Sequence, residues 1–254
     1  MRCCALFLVA GLSMAQDPAN GWMAYAVGKV PEGVERITRL EMTWKVGASP
    51  RRGNAFFSPW FGMDPSDNDN LIQPVNPWVG DGWEMYTEYF QWRPEHNSNS
   101  AQHSVQSGQT LHGSLVYDES SDAYTLTQEI VETGQKSTQV VPCQSDKKFT
   151  IPYVVYEKAF PCAYYPPDEI VTFTDIVAEC DGKDCASQIE WSAKNYDDRH
   201  CDMQAHIAPG NQNISITWDT SAVSKLDGLS DAALYDLNTK HGGWATALNI
   251  TRPL

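Results

Sequence analysis

Between Phe56 and Trp78 the sequence gathers side chains that can grip a ligand: Trp60, Asp64, Gln73 and Trp78. An indole offers a large apolar face, a carboxylate accepts hydrogen bonds or a proton, and a primary amide both donates and accepts. The same residues also suit a buried aromatic corner closed by a polar turn. Asp64 to Asn70 is rich in residues that bond their own backbone or tolerate left-handed angles.

These side chains need strands to hold them. Phe56, Phe57, Trp60 and Phe61 are strand formers. Leu71, Ile72 and Gln73 begin a second arm, and Pro74 and Pro77 predict that it is short or at a sheet edge. Residues 83–92 are dense in strand formers. Alternation puts Tyr89 and Gln91 on one face and Glu88, Phe90 and Trp92 on the other. Residues 150–157 form an apolar run, expected to be buried on both faces, that ends on the carboxylate of Glu157. In residues 37–46, Leu40, Met42 and Trp44 share a face. Residues 95–102 read as a polar loop.

Further strands are expected over residues 108–117, 124–132, 137–141, 169–177, 188–193, 201–208 and 212–218. Only residues 230–238 read as a helix, capped by Ser230. About ten strands with turns every 8 to 12 residues predict an all-β fold, an antiparallel β-sandwich or jelly roll of the concanavalin-like kind, with one short C-terminal helix. The expected organisation is a signal peptide over 1–15, an irregular segment over 16–36, the sandwich over 37–218 and an extension over 219–254 that packs on it.

The 254 residues fit one such domain. Arg2 precedes an apolar run that ends in Ser13-Met14-Ala15, the pattern of a cleaved secretory signal. Five cysteines lie beyond it, and an oxidising compartment favours their pairing. Cys180 and Cys185 can staple a tight loop; Cys143 and Cys162 bracket a strand, and Cys201 competes for either. Five is odd, so one thiol is left over. Asn213 and Asn249 begin Asn-x-Ser/Thr glycosylation triplets. These features place the protein outside the cell, with no membrane attachment after signal cleavage.

The formal net charge of -14 argues against nucleic acid, whose phosphates need a basic surface. There is no Gly-x-Ser-x-Gly elbow, phosphate loop or His-Glu-x-x-His. The Glu-x-Asp-x-x-Glu run of laminarinase-type glycosidases is missing too, and Glu129 and Glu132 fall on opposite faces of their strand. His200, Cys201, Asp202 and His206 match no zinc spacing, so neither metal nor other cofactor is called for.

Taken in order, these segments resemble the eqolisin glutamic peptidases, secreted β-sandwich enzymes. That family carries Trp-x-Gly-x-Asp and then Leu-x-Gln, matched by Trp60-Phe61-Gly62-Met63-Asp64 and Leu71-Ile72-Gln73. Its Trp-Tyr-Glu-Trp-Tyr-Pro strand has Tyr89-Phe90-Gln91-Trp92-Arg93-Pro94 in its place. A Gly-Asp-x-Ile/Leu strand is matched loosely by Gly108-Gln109-Thr110-Leu111. The catalytic strand, Ala-Glu-Trp-Ile-Val-Glu, corresponds to Pro152-Tyr153-Val154-Val155-Tyr156-Glu157, and Val-x-Phe-Thr-Asn to Val171-Thr172-Phe173-Thr174-Asp175. The resemblance runs from about Ile37 to Trp218 and does not cover the tail.

The departures fall on the chemistry. Tyr153 stands where the family has its catalytic glutamate, Glu157 stands at its second glutamate, and Gln91 replaces a third. Glu157 shares the face of Tyr153 but lies about 13 Å further along the strand. The resemblance implies an endopeptidase in which Glu157 is base and acid to the attacking water and Gln73 stabilises the oxyanion. It implies that Asp64 orients the site, that Trp60, Trp78 and Tyr89 line a groove for a polypeptide, and that Gln91 flanks them. The alternative is a non-catalytic secreted module whose aromatic face and amides bind a glycan. For each residue a plain role stands beside these: Gln73 bonding a loop, Glu157 at a solvated strand end, Asp64 forming a turn, tryptophans filling the core.

Overall fold

The structure is a computed structural model that describes residues 21–52, 54–144, 147–195 and 200–239. The signal segment and Asn249 lie outside the described residues. Two antiparallel sheets face each other.

The first sheet carries the candidate site. It contains β1 (Trp22–Lys29), β3 (Phe56–Pro65), β4 (Asn70–Val75), β5 (Trp78–Val79), β6 (Trp83–Trp92), β12 (Phe149–Glu157) and β15 (Glu190–Asn195). Their order is β15-β1-β12-β3-β4-β6-β5, and β7 (Glu95–Asn99) and β8 (His103–Val105) also pair with β6. The second sheet runs β11 (Gln135–Pro142), β10 (Ala123–Ile130), β9 (Thr110–Asp118), β2 (Ile37–Lys45), β13 (Ile170–Cys180), β17 (Ile214–Thr217), β16 (Gln204–Ile207), with β14 (Lys183–Asp184) on β13.

Strand alternation decides what fills the space between the sheets. Leu40, Met42 and Trp44 of β2 meet Phe61 and Met63 of β3, and Trp44 packs edge-on against Phe61 with centroids 5.9 Å apart. Each fully buried large apolar side chain contributes roughly 1.5–3 kcal/mol. Packing is close enough to exclude a side chain at Gly113, where a Cβ would stand 2.6 Å from Phe61.

The first sheet is also covered on its outer face, which explains strands that do not alternate. Every residue of β3 and β4 is buried. Trp22, Tyr25, Trp60, Leu71, Val75, Tyr86, Phe90, Tyr153 and Val155 form a second apolar cluster there. β12 is buried from Pro152 to Glu157, as its unbroken apolar run predicts.

Four expectations are corrected. Residues 16–36 are not wholly irregular, because β1 lies within them; it is buried on both faces and so lacks an alternating signal. β7 occupies part of the expected polar loop. β4 is interior, between β3 and β6, despite Pro74. It pairs with β3 through Trp60 with Val75 and Met63 with Ile72. Cys162 pairs with Cys201, not Cys143, which is free and half-buried. The Cys180–Cys185 staple is present.

The helix α1 (Asp231–Thr239) starts where Ser230 accepts a hydrogen bond from the Ala233 N–H at 3.3 Å. Leu234 is buried and Tyr235 packs on Phe56, with centroids 5.9 Å apart.

Candidate functional site

Gln73 sits between Leu71 and Val75 on β4, and both neighbours belong to the outer apolar cluster. Glu88 sits between Tyr86 and Phe90 on β6, members of the same cluster. The strand register sets Gln73 opposite Glu88. Directly opposed residues on one face have side chains within reach of each other. Gln73 Nε2 donates to Glu88 Oε2 at 2.6 Å. Asn97 of β7 donates to Glu88 Oε1, also at 2.6 Å. Gln73 and Glu88 are each 1% exposed.

Burial pushes the Glu88 carboxyl up to about 7. The Glu157 charge reinforces the rise, while the hydrogen bonds from Asn97 and Gln73 and the Lys158 ammonium oppose it. An amide nitrogen carries two hydrogens, so Gln73 keeps one donor beyond the bond to Glu88. Its carbonyl is buried and has no hydrogen-bond partner among the described residues.

Gly62 lies on the other flank of Gln73. A Cβ there would be 3.0 Å from Gln73 Cβ and 2.6 Å from the Ile72 carbonyl oxygen. Tyr153 of β12 pairs with Gly62. One row across the sheet therefore reads Tyr153, Gly62, Gln73, Glu88. The resemblance puts a catalytic glutamate at Tyr153; here a carboxyl stands on the opposite side of the glutamine.

Glu157 shares this outer face. Trp60 Nε1 donates to Glu157 Oε2 at 3.0 Å, and Lys158 Nζ lies 2.6 Å from Oε1. Asp64 is buried, and burial holds its carboxyl well above the usual range against a hydrogen bond from Asn68. Asn68 Nδ2 bridges Asp64 Oδ2 at 3.1 Å and the Tyr153 hydroxyl at 3.0 Å.

The other candidates lie on the inner face. Trp78 packs in the main core, edge-on to Trp83. The Tyr89 hydroxyl donates to Gln91 Oε1 at 2.7 Å and accepts from Asn70 at 2.7 Å, while Gln91 Nε2 donates to the Pro94 carbonyl at 3.0 Å. Alternation along β6 separates both from Glu88. The structure thus gathers Trp60, Asp64, Gln73 and Glu157 on one face and leaves Trp78, Tyr89 and Gln91 on the other.

Glu88, Asn97 and Lys158 were not among the candidates. The period-2 pattern of β6 assigns Glu88 a face, but its partnership with Gln73 depends on the register between strands. Cys162, His200 and Cys201 bring ligand atoms within 4.8 Å of one another. The two sulfurs are joined to each other, and His200 Nε2 lies 2.6 Å from the Phe160 carbonyl. Asn213 is half-buried beside β17.

No protein-family model matches the chain, and no curated protein matches it. Solved structures do. Scytalido-glutamic peptidase, determined with a transition state analog inhibitor, is similar over 79% of this chain and 100% of its own, with a TM-score of 0.59 and 17% identity. SCP-B, described as a member of the eqolisin family of peptidases and determined with the tripeptide Ala-Ile-His, is similar over the same shares, with a TM-score of 0.57 and 16% identity. The chain has the fold of these β-sandwich peptidases. Among the described residues no helix is long and apolar enough to cross a membrane.

Proposed function

We propose that the protein is a secreted glutamic-type hydrolase of peptide bonds, in which Glu88 moves the proton and Gln73 stabilises the oxyanion. The observation that carries this reading is the 2.6 Å hydrogen bond between two buried side chains on the outer face. A base works best when its proton affinity lies near the operating pH, and burial raises that of Glu88 to about 7. Glu88 takes a proton from water, whose oxygen attacks the scissile carbonyl carbon. The second N–H of Gln73 donates to the carbonyl oxygen as it gains charge. Glu88 then returns the proton to the leaving amine as the C–N bond breaks. Two disulfides suit an extracellular setting.

The resemblance would give the proton to Glu157. Its oxygens bond Trp60 Nε1 and the Lys158 ammonium; the carboxyl hydrogen-bonded to Gln73 is that of Glu88.

The rival reading, a glycan-binding module, draws on the aromatic cluster. Trp22 packs edge-on to Trp60 and Tyr153, at 4.9 and 5.0 Å, and all three rings are buried. Rings packed into one another give a sugar little face to stack on.

The signal-free chain should cleave a denatured protein substrate, and Glu88→Gln should lower kcat/KM by about 10²–10⁴-fold. A loss in Glu157→Gln that Glu88→Gln does not match would return the base to Glu157. A folded wild type that cleaves nothing but binds on a glycan array would replace the hydrolase with the module.

A further inference from the structure

β7 has two different faces, because successive side chains of a strand point opposite ways. On one face it is tied to the second sheet. The Ser98 hydroxyl donates to Gln139 Oε1 at 3.4 Å, and Gln139 Nε2 donates to the Ser98 carbonyl at 3.3 Å. Just beyond the strand, Ser100 Oγ lies 2.7 Å from Ser137 Oγ and accepts from the Thr87 N–H at 2.8 Å. Gln139 and Ser137 both belong to β11. These bonds fix where β7 lies against β6.

The opposite face carries Asn97 and Asn99, and it is the face of Glu88. The register sets Asn99 directly opposite Glu88 and Asn97 opposite Phe90. Asn97 is thus a diagonal neighbour of Glu88, within reach of a long side chain. Its Nδ2 donates to Glu88 Oε1 at 2.6 Å, while Gln73 Nε2 donates to Oε2 at the same distance. One carboxyl is therefore held by two amides, from the strands on either side of β6. Two charge-assisted bonds fix the plane of a carboxyl as well as its place. A carboxylate offers about four lone-pair sites, so about two stay open to a proton. We propose that Asn97 is a positioning residue: from β7 it holds Glu88 Oε1 and keeps the carboxyl in one orientation through the proton transfers. Its part in catalysis rests on Glu88 being the base; the clamp on the carboxyl does not.

Several ionisable groups share this face. β6 itself supplies Glu84 and Tyr86, β7 supplies Glu95 at its exposed start, β3 supplies Asp64, and the end of β12 supplies Glu157 and Lys158. Substitutions at Asn97 leave all of these in place, so a change in the titration of Glu88 reports the amide that was removed.

The test joins a pH titration of Glu88 by NMR, in protein labelled at the glutamate carboxyl carbon, to steady-state kinetics across pH. The resonance is assigned by its loss in Glu88→Gln, and the wild-type midpoint is expected near 7. Asn97→Leu removes the donor at similar volume. The anion then loses a bond that favours it, and the midpoint should rise by about one unit. Asn97→Asp keeps the shape and sets a second carboxyl against the first, so the midpoint should rise further, because two carboxylates in contact do not both ionise readily. In both variants kcat should fall by about 10-fold or more with KM little changed, and the acid limb of kcat/KM should follow the NMR midpoint. A midpoint unmoved in the folded variants overturns the proposal, and Asn97→Asp decides it where Asn97→Leu does not fold. A midpoint that moves while the acid limb stays fixed overturns the part in catalysis, and Glu88 as the base with it, and leaves the clamp standing.

Discussion

Gln73 and Glu88 stand opposite each other on neighbouring strands, one hydrogen bond apart, on the face that also holds Glu157, Asp64 and Tyr153. The fold's peptidase relatives place this chain among β-sandwiches of known architecture, but the chemistry has to come from its own residues. Here the amide is flanked by Gly62 on one side and a buried carboxyl on the other. The carboxyl on β6 and the amide on β4 are in direct contact.

The amide has two effects that can be separated. Gln73→Ala removes the oxyanion donor and should lower kcat by about 10²–10³-fold. It also removes a hydrogen bond that lowers the proton affinity of Glu88, so the acid limb of the pH profile should move to higher pH. Steady-state kinetics across pH reads both. A drop in kcat with an unmoved limb would leave the first role and discard the second.

Stability should depend on pH with a definite sign. The folded Glu88 carboxyl binds its proton more tightly than its ordinary value of 4.5, up to about 7. Its contribution is complete below 4.5 and is lost as pH rises through about 7, by about 3 kcal/mol. Asp64 is shifted in the same direction and adds to the trend. Thermal unfolding of the wild type should therefore move to lower temperature across that window, and Glu88→Gln should flatten the dependence. Parallel curves for the two proteins would show that Glu88 is not the source.

Gly62 should be intolerant of any side chain. A Cβ would press on the Ile72 carbonyl oxygen at 2.6 Å, which is backbone and cannot rotate away. Gly62→Ala should cost about 1–3 kcal/mol by overpacking and should displace Gln73, lowering kcat by about 10-fold or more. Gly82 has nothing within 4 Å of its Cβ position, so Gly82→Ala is the matched control. Equal unfolding midpoints for the two variants would contradict the close approach of β3 and β4.

The sandwich was legible because the strands of its second sheet bury one face. β2 and β9 alternate, and alternation names their core residues directly. β1 was not legible: both its faces are covered, and its run of apolar residues ends at Gly28 and Lys29. Glu88 was legible by face and not by partner, since pairing with Gln73 is a long-range register. Tyr89 and Gln91 show the converse. Their parity was plain, but which face carries the site follows only from where Gln73 points. Lys158 gave no sign at all, because a left-handed backbone angle at a lysine has no signature in residue type.

The two disulfides should differ in worth according to the loops they close. Cys162 and Cys201 are 39 residues apart, and Cys180 and Cys185 are 5 apart. Cross-linking removes more freedom from the unfolded chain when the loop is longer. On that account the long loop contributes about 4 kcal/mol and the short one about 2 kcal/mol. The long one also lies beside Phe160, whose carbonyl is held by His200, two residues beyond the turn at Lys158. Paired alanine substitutions, unfolded in denaturant, compare the two. The Cys162→Ala and Cys201→Ala double variant should lose more stability and should also lower activity, because the end of β12 loosens. A greater loss from the Cys180 and Cys185 pair would mean that native contacts around the short loop, rather than chain entropy, set its contribution.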